Sequence, residues 1–448
     1  MTRNALTDLY LDEIARRGIT ATEVPDAARR AVDLMPTSYK GKCLSRPGLL
    51  ERAEVERLEH DLRIVREGLA SLPRRLFGGD LGAFARAAGM SDAQVAAVQR
   101  APSTTLTSVG RADIYHDGTG FRLMELNLGA NLGGLDNAAL NPGFLAHEGF
   151  AEIAAEHGLT YVDSIEQLAA SLLAECDVPA GERPFVVVVD LPQHIEMLYD
   201  RLVASGEVLA KYGVDVVPAG PDRLRSEGGR LWLDGHDRPV DVIYRLFLIE
   251  ELLHPDGPAI LEPVLAAAER GEVRMFAPLD AELYGSKAAL SMLSDEANRH
   301  VFTAEELAVF DRFLPWTRLV REGDVHVGGE LVDLREYLLE RREDLVLKPA
   351  ALSGGQGVAL GWRTEPEEWA KRVQDAFDSH YVAQARLSGV PERFDTVDGE
   401  ALMLLNWCVF TGHHGYAGAF VRGSTDLSGG ALNSIYGGAT LACVFHQA

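Results

Sequence analysis

The chain has 448 residues, 47% of them hydrophobic and 25% charged, enough apolar material to bury a large core spread over two or three subdomains. With 43 basic against 67 acidic residues its formal charge is −24, which excludes a nucleic-acid binder, because a phosphate backbone requires a basic footprint. No apolar run approaches the ~20 residues that cross a bilayer. The first residues carry charge early and lack the apolar core of a signal peptide. The four cysteines are scattered without a Cys-x-x-Cys pair, so neither zinc nor a disulfide framework is expected, and the compartment expected is the cytoplasm. The acidic excess serves solubility and is also compatible with cationic amine substrates.

Residues 1–104 read as a helical N-terminal region. From Leu49 to Leu62 apolar side chains recur at spacings of three and four, and Val55, Leu58, Leu62 and Val65 form one stripe expected to pack on the core. The next segment, Arg111 to Asn127, reads as a tight hairpin with Asp117-Gly118 and Gly120 in its turn. Side chains alternate across a strand, so Glu125 and Asn127 share a face, and antiparallel pairing brings Asp113 close to Glu125. Two carboxylates and an amide in that arrangement suit Mg2+, which takes oxygen ligands and keeps waters or phosphate oxygens in its other positions. Arg111, two residues before Asp113, lies on the same face, where its fixed cation can hold an anionic oxygen. A polar surface hairpin is the alternative; the four residues together, followed by the Gly-rich loop 129–137, favour a site.

Pro184 to Asp190 is a continuous apolar run, as expected of a strand buried on both faces. A helical pattern from His194 to Tyr212 and the run Val214 to Val217 complete a β-α-β unit. Gly228 to Gly235 reads as a small hairpin and Val242 to Phe247 as another strand, with Arg245 at its end placed either to hold a substrate carboxylate or to make a structural ion pair. Lys287 begins a helical pattern, where its ammonium can reach phosphates near the helix start. Glu305 to Phe313 and Leu331 to Arg341 read as helices. Leu345 to Leu347 form a short apolar strand ending in Lys348, the loop Ser353 to Gly357 follows, and a strand restarts at Val358 to Leu360. Its glycines let backbone N–H groups approach phosphate oxygens without Cβ interference, while the nearby lysine adds positive charge. It is not a Walker loop, since it lacks the Gly-Lys-Ser/Thr ending and no helix follows. Leu402 to Phe410 and Gly415 to Arg422 read as antiparallel strands with His413 and His414 in their turn. Cys408 and Cys443, in apolar strands, are expected to be buried small hydrophobes.

These motifs together resemble a circularly permuted ATP-grasp ligase, closest to the synthetase domain of glutathionylspermidine synthetase. The permuted order rests on Glu125-Leu-Asn127 preceding Gly354-Gly355-Gln356-Gly357. The Arg-x-Asp head at Arg111 and Asp113, the lysine segments at Lys287 and Lys348, the strand carrying Gln384, and the closing segment from Gly418 and Arg422 through Asn433 to Gly438 are similar to the family's. The resemblance implies an α+β (α/β) fold with the helical N-terminal region, the first part of the ATP-grasp core at 105–179, a Rossmann-like subdomain at 180–275 and the nucleotide-binding portion at 276–448. It also implies ATP held by Lys287, Lys348, Gln384 and the lid glycines, one or two Mg2+ ions on Asp113, Glu125 and Asn127, and Arg111 as the catalytic arginine. Arg245 and Arg422 are substrate candidates. The reaction expected is ATP-dependent joining of a carboxylate, from an amino acid or peptide, to an amine such as a polyamine. Transfer to a thiol, as on a carrier protein, and nucleotide binding without turnover are the alternatives. No segment resembles the amidase domain of bifunctional relatives, and no basic residue stands in the lid.

Overall fold

A computed structural model describes residues 4–31, 43–100, 105–129, 131–350, 357–396, 398–429 and 439–448. The lid residues Gly354, Gly355 and Gln356, and the closing residues from Asn433 to Gly438, lie outside them. Strand β1 (Gly48–Leu50) leads into the helix Arg52–Leu76, and the hairpin strands are β2 (Gly110–His116) and β3 (Phe121–Leu128). The short β4 (Leu159–Thr160) follows two helices, and β5 (Phe185–Val189) and β6 (Asp215–Ala219) flank the helix Pro192–Lys211. A small hairpin of β7 (Leu224–Glu227) and β8 (Arg230–Leu233) precedes β9 (Val242–Arg245) and β10 (Arg274–Phe276). Next come β11 (Thr317–Leu319), the hairpin β12 (Asp324–Val327) and β13 (Glu330–Asp333), then β14 (Leu345–Pro349), β15 (Ala359–Leu360) and β16 (Tyr381–Ala385). The chain closes with β17 (Glu392–Thr396), β18 (Gly399–Gly412), β19 (Gly415–Ser424) and β20 (Thr440–Gln447).

Three sheets organise these strands. An eight-stranded sheet runs β1-β20-β19-β18-β2-β3, with β17 on β18 and β4 on β20. It joins the early hairpin to strands nearly three hundred residues later, Asp113 lying opposite Cys408. The second sheet, β10-β9-β5-β6, is parallel throughout. Every residue of β5 is buried, which accounts for its unbroken apolar run. The third sheet, β11-β16-β14-β15, is antiparallel and has a small core of its own. The helices Leu334–Glu340 and Pro366–Phe377 cover it, and the Trp369 indole donates to the Leu338 carbonyl at 2.8 Å.

The stripe on the helix Arg52–Leu76 packs as expected, with Leu58, Leu62, Val65, Leu69 and Leu72 buried. Glu51 and Glu54 close its N-terminus as a capping box. Two local readings change. Leu331 to Asp333 belong to strand β13, whose pairing with β12 takes up their backbone groups, and the helix starts only at Leu334, capped by Asp333. The small hairpin starts earlier than Gly228, because Gly228 and Gly229 are its turn and β7 precedes them. The region before residue 104 also contains β1, a strand too short to leave a periodicity, parallel to β20. Among the described residues no helix is long and apolar enough to cross a membrane.

The helix Glu148–Glu156 fixes one face of the large sheet through Phe150, fully buried with its ring 5.1 Å from Phe445 and 5.8 Å from Phe144. Truncating such a ring removes both its burial and its edge-to-face contacts. Phe150→Ala is expected to lower the unfolding free energy by about 3–5 kcal/mol, read as a shift in the chemical-denaturation midpoint.

Candidate functional site

The hairpin delivers the polar residues to one face by register. Arg111 pairs with Asn127 and Asp113 with Glu125, and a bulge directly after Asp113 places Ile114 opposite Leu123. Met124 is thereby left without a partner on β2. Its carbonyl instead accepts from Gln384 Nε2 of β16, 3.2 Å away, so the bulge ties the large sheet to the third sheet.

Gln384 is the pivot of that junction. Its Nε2 also donates to Thr317 Oγ1 at 3.2 Å, which turns its Oε1 toward Lys348, and Lys348 Nζ donates to it at 2.7 Å. Lys348 and Gln384 are both buried. Burial, with Lys287 nearby, pushes the Lys348 ammonium down to about 8 against the opposing pull of Glu125. Lys287 is the first residue of the helix Lys287–Ser294, capped by Ser286, and its backbone N–H donates to the Ala350 carbonyl at the end of β14. Its Nζ lies 3.7 Å from Glu125 Oε2. The turn before this helix approaches β3 closely: a Cβ on Gly285 would stand 2.9 Å from the Leu128 backbone nitrogen, so only glycine fits.

Arg111 and Asp113 form a bidentate pair, Nε to Oδ1 at 2.7 Å and Nη2 to Oδ2 at 3.0 Å. Arg422 Nη1 stands 3.7 Å from the same Oδ2. Burial alone would raise the Asp113 carboxyl, but the two guanidinium groups outweigh it and hold it below the usual carboxylate range. Arg111 Nη1 also donates to the Gly133 carbonyl at 2.7 Å, which tethers the Gly-rich loop to the hairpin. Cys408, read from its apolar strand as a plain hydrophobe, is buried but has polar partners: its thiol lies 3.1 Å from Asn406 Oδ1 and also meets Asp113.

The structure therefore brings Arg111, Asp113, Glu125, Asn127, Lys287, Lys348, Gln384 and Arg422 into one locus. Asn127 Nδ2 lies 3.4 Å from Glu125 Oε1, leaving the amide oxygen of Asn127 and the carboxylate of Glu125 as the hard oxygen donors that fit Mg2+. Asp113, expected from sequence as a third ligand, instead has both oxygens taken by Arg111. Gly357 is the one described glycine of the lid. Its φ of +69° and the closeness of Pro349 Cγ, 2.7 Å from an added Cβ, exclude a side chain there.

Arg245 stands apart from the lysines. Of the two readings open to it, the structure shows the ion pair: it binds Glu282 and donates to the carbonyls of Ala277 at 2.6 Å and Phe247 at 2.5 Å. Ala277 adopts a left-handed φ of 51°. A cavity of about 180 Å³ opens here, outside the carboxyl end of β9 and beside Lys287 and Asn127. Its lining includes Glu250 and Glu282, which sequence patterning did not single out because neither belongs to a motif.

No protein-family model matches this chain, and none of the curated proteins matches it in sequence. Among solved structures, a glutathione synthetase-like effector from Globodera pallida, in apo form, is similar with a TM-score of 0.56 at 11% identity over 95% of each chain. A candidate γ-glutamylcysteine synthetase from Methylobacillus flagellatus, at TM-score 0.42 and 16% identity over 87% of this chain and 86% of that one, is too loose a likeness to carry an argument. The first likeness shows the fold: a mixed α/β architecture of the glutathione synthetase-like kind.

Removing the Arg111 cation would leave a shielded carboxylate with only Arg422 nearby and release the Gly133 carbonyl. Arg111→Met is expected to destabilise the fold by about 3 kcal/mol, measured by urea unfolding, whereas a purely surface pair would move it by less than about 1 kcal/mol.

Proposed function

We propose that this protein is an ATP-dependent ligase that joins a carboxylate to an amine through an acylphosphate, releasing ADP and phosphate. The observation that supports it best is the convergence of Lys287 and Lys348 on Glu125 from three separate elements. Arg111, Lys287, Lys348 and Arg422 stand there around Asp113 and Glu125, a concentration of cations in a chain of net −24. Such a locus suits a polyanion, and a triphosphate supplies one. The glutathione synthetase-like fold is in keeping with this reading, and the order of the Glu-x-Asn pair before the Gly-rich segment favours a permuted ATP-grasp arrangement.

Each residue has a distinct task. Lys348 on β14, braced by Gln384, and Lys287 at the start of its helix sit on phosphate oxygens. Glu125 and Asn127 would hold Mg2+, and the ion when bound neutralises charge developing on the phosphates. The substrate carboxylate attacks the γ-phosphorus, ADP departs, and the amine then displaces phosphate from the acyl carbon. Arg422, whose Nη1 stands 3.7 Å from Asp113 Oδ2, would meet the oxyanion and the leaving phosphate, and Arg111, engaged by Asp113 and the Gly133 carbonyl, would position it through Asp113.

Lys348→Met and Glu125→Gln are each expected to reduce acid-dependent ADP release at least ~100-fold, the scale of losing one electrostatic stabiliser, with the circular dichroism spectrum unchanged. Full ADP release by either variant would rule the assignment out. Because burial pushes the Lys348 ammonium down to about 8 and phosphate favours its charged form, ATP binding at pH 8 should take up about half a proton. Affinity should accordingly fall as pH rises past 8. Calorimetry in buffers of different ionisation enthalpy reads the uptake directly.

A further inference from the structure

The cavity beside Lys287 extends to the turn that carries Ile249 and Glu250. Asn127, Lys287 and Arg245 line it together with Leu248, Ile249 and Glu250, and Met90 is part of its apolar wall. Two carboxylates border it, and they are not equivalent. Glu282 is saturated, taking Arg245 on one oxygen and the Ile249 N–H, 3.0 Å away, on the other. Glu250 Oε2 is shielded from solvent and has no hydrogen-bond partner among the described residues. A shielded carboxylate oxygen without a donor is costly, and a ligand that brings an N–H group would supply one.

The chemistry of that ligand can be narrowed. A carboxylate ligand would face the like charges of Glu250 and Glu282 here, and Arg245, which also lines the cavity, already binds Glu282 and the carbonyls of Ala277, Phe247 and Pro278. An aliphatic ammonium fits both the open carboxylate and the apolar wall of Leu248, Ile249 and Met90.

We propose that this cavity receives the acceptor amine of the ligase, with the ammonium seated on Glu250, which removes a proton from it before attack. This assignment rests on the ligase reading and adds to it the place and proton acceptor for the second substrate. The R–NH3+ group passes one proton to the Glu250 carboxylate. The freed lone pair forms the C–N bond at the acyl carbon, the C–O bond to phosphorus breaks, and phosphate leaves with that electron pair and the second proton of the nitrogen. Glu250 then returns its proton to water.

Burial, reinforced by Glu282, pushes the Glu250 carboxyl up to about 7, a value suited to taking and releasing a proton near neutrality. The charged groups around it are Glu282 and Arg245, Glu251 of its own turn, and Lys287 of the cavity lining. The helices Asp92–Arg100 and Gly257–Glu269, packed behind that turn, direct Arg100, Glu262 and Glu269 at one another on the surface.

The test is calorimetric titration of the full chain with propylamine, 1,3-diaminopropane and 1-propanol at pH 6 and pH 8, alongside ADP release with amino-acid substrates. Amine binding that is at least tenfold tighter at pH 8, is lost in Glu250→Gln and in the cavity-filling Leu248→Trp, and is absent for the alcohol supports the assignment. No amine binding by the wild-type protein, or equal binding by Glu250→Gln, overturns it even if ADP is released. Glu250-dependent amine binding without ADP release from any acid leaves the pocket standing and removes the ligase reading instead.

Discussion

The cluster of Arg111, Lys287, Lys348 and Arg422 around Asp113 and Glu125, at the edge of the β2–β3 hairpin, is the constraint around which this structure is arranged. Lys348 is buried and its ammonium is depressed toward 8, so the fold accepts a desolvation cost to keep it there. Unit charges about 4 Å apart interact by roughly 4 kcal/mol at an effective dielectric of about 20. Glu125, 3.7 Å from Lys287 Nζ and also acting on Lys348, outweighs the repulsion between the two lysines at Lys348, so burial is what holds that ammonium down. The Gln384 carbonyl oxygen accepts from Lys348 without cancelling its charge.

Geometry at this locus depends on one irregularity in a short hairpin. Without the bulge after Asp113, Met124 would pair with β2 and its carbonyl would not face Gln384. The same amide that orients Lys348 thus reports on hairpin register, so the metal-type donors and the lysines cannot shift independently. Arg111 extends the coupling in the other direction, from Asp113 to the Gly133 carbonyl, and Asn131 continues it to the Leu246 carbonyl beside the parallel sheet at 2.8 Å. Three sheets meet through four side chains.

What could be read from sequence follows the range of the interactions. The hairpin was legible because its turn and both strands lie within 19 residues, and local turn chemistry fixes the register that brings Asp113 to Glu125. β5 was legible because burial on both faces leaves an unbroken apolar run. Leu331 to Asp333 were misread because two apolar residues before a true helix extend its apparent period, although Gly328-Gly329 marks a hairpin turn. β1, three residues paired with a strand almost four hundred residues later, offers no local signal. The partners of Cys408, Gln384 and Arg422 come from strand order, which no window of sequence contains.

Arg245 shows how such misplacement bears on chemistry. A strand-end arginine in a parallel sheet invites assignment to an anionic substrate, yet each nitrogen of its guanidinium is engaged by Glu282 or by a backbone carbonyl, one of them from Ala277 in a left-handed conformation. Its effect is to remove Glu282 from the pool of available carboxylates and to hold the Ile249–Leu253 turn, through Glu282 and the Ile249 N–H, where Glu250 faces the cavity. The residue that sequence marks for its charge therefore acts by neutralising a neighbour. The chemically open group is the unremarked acid two positions past Leu248.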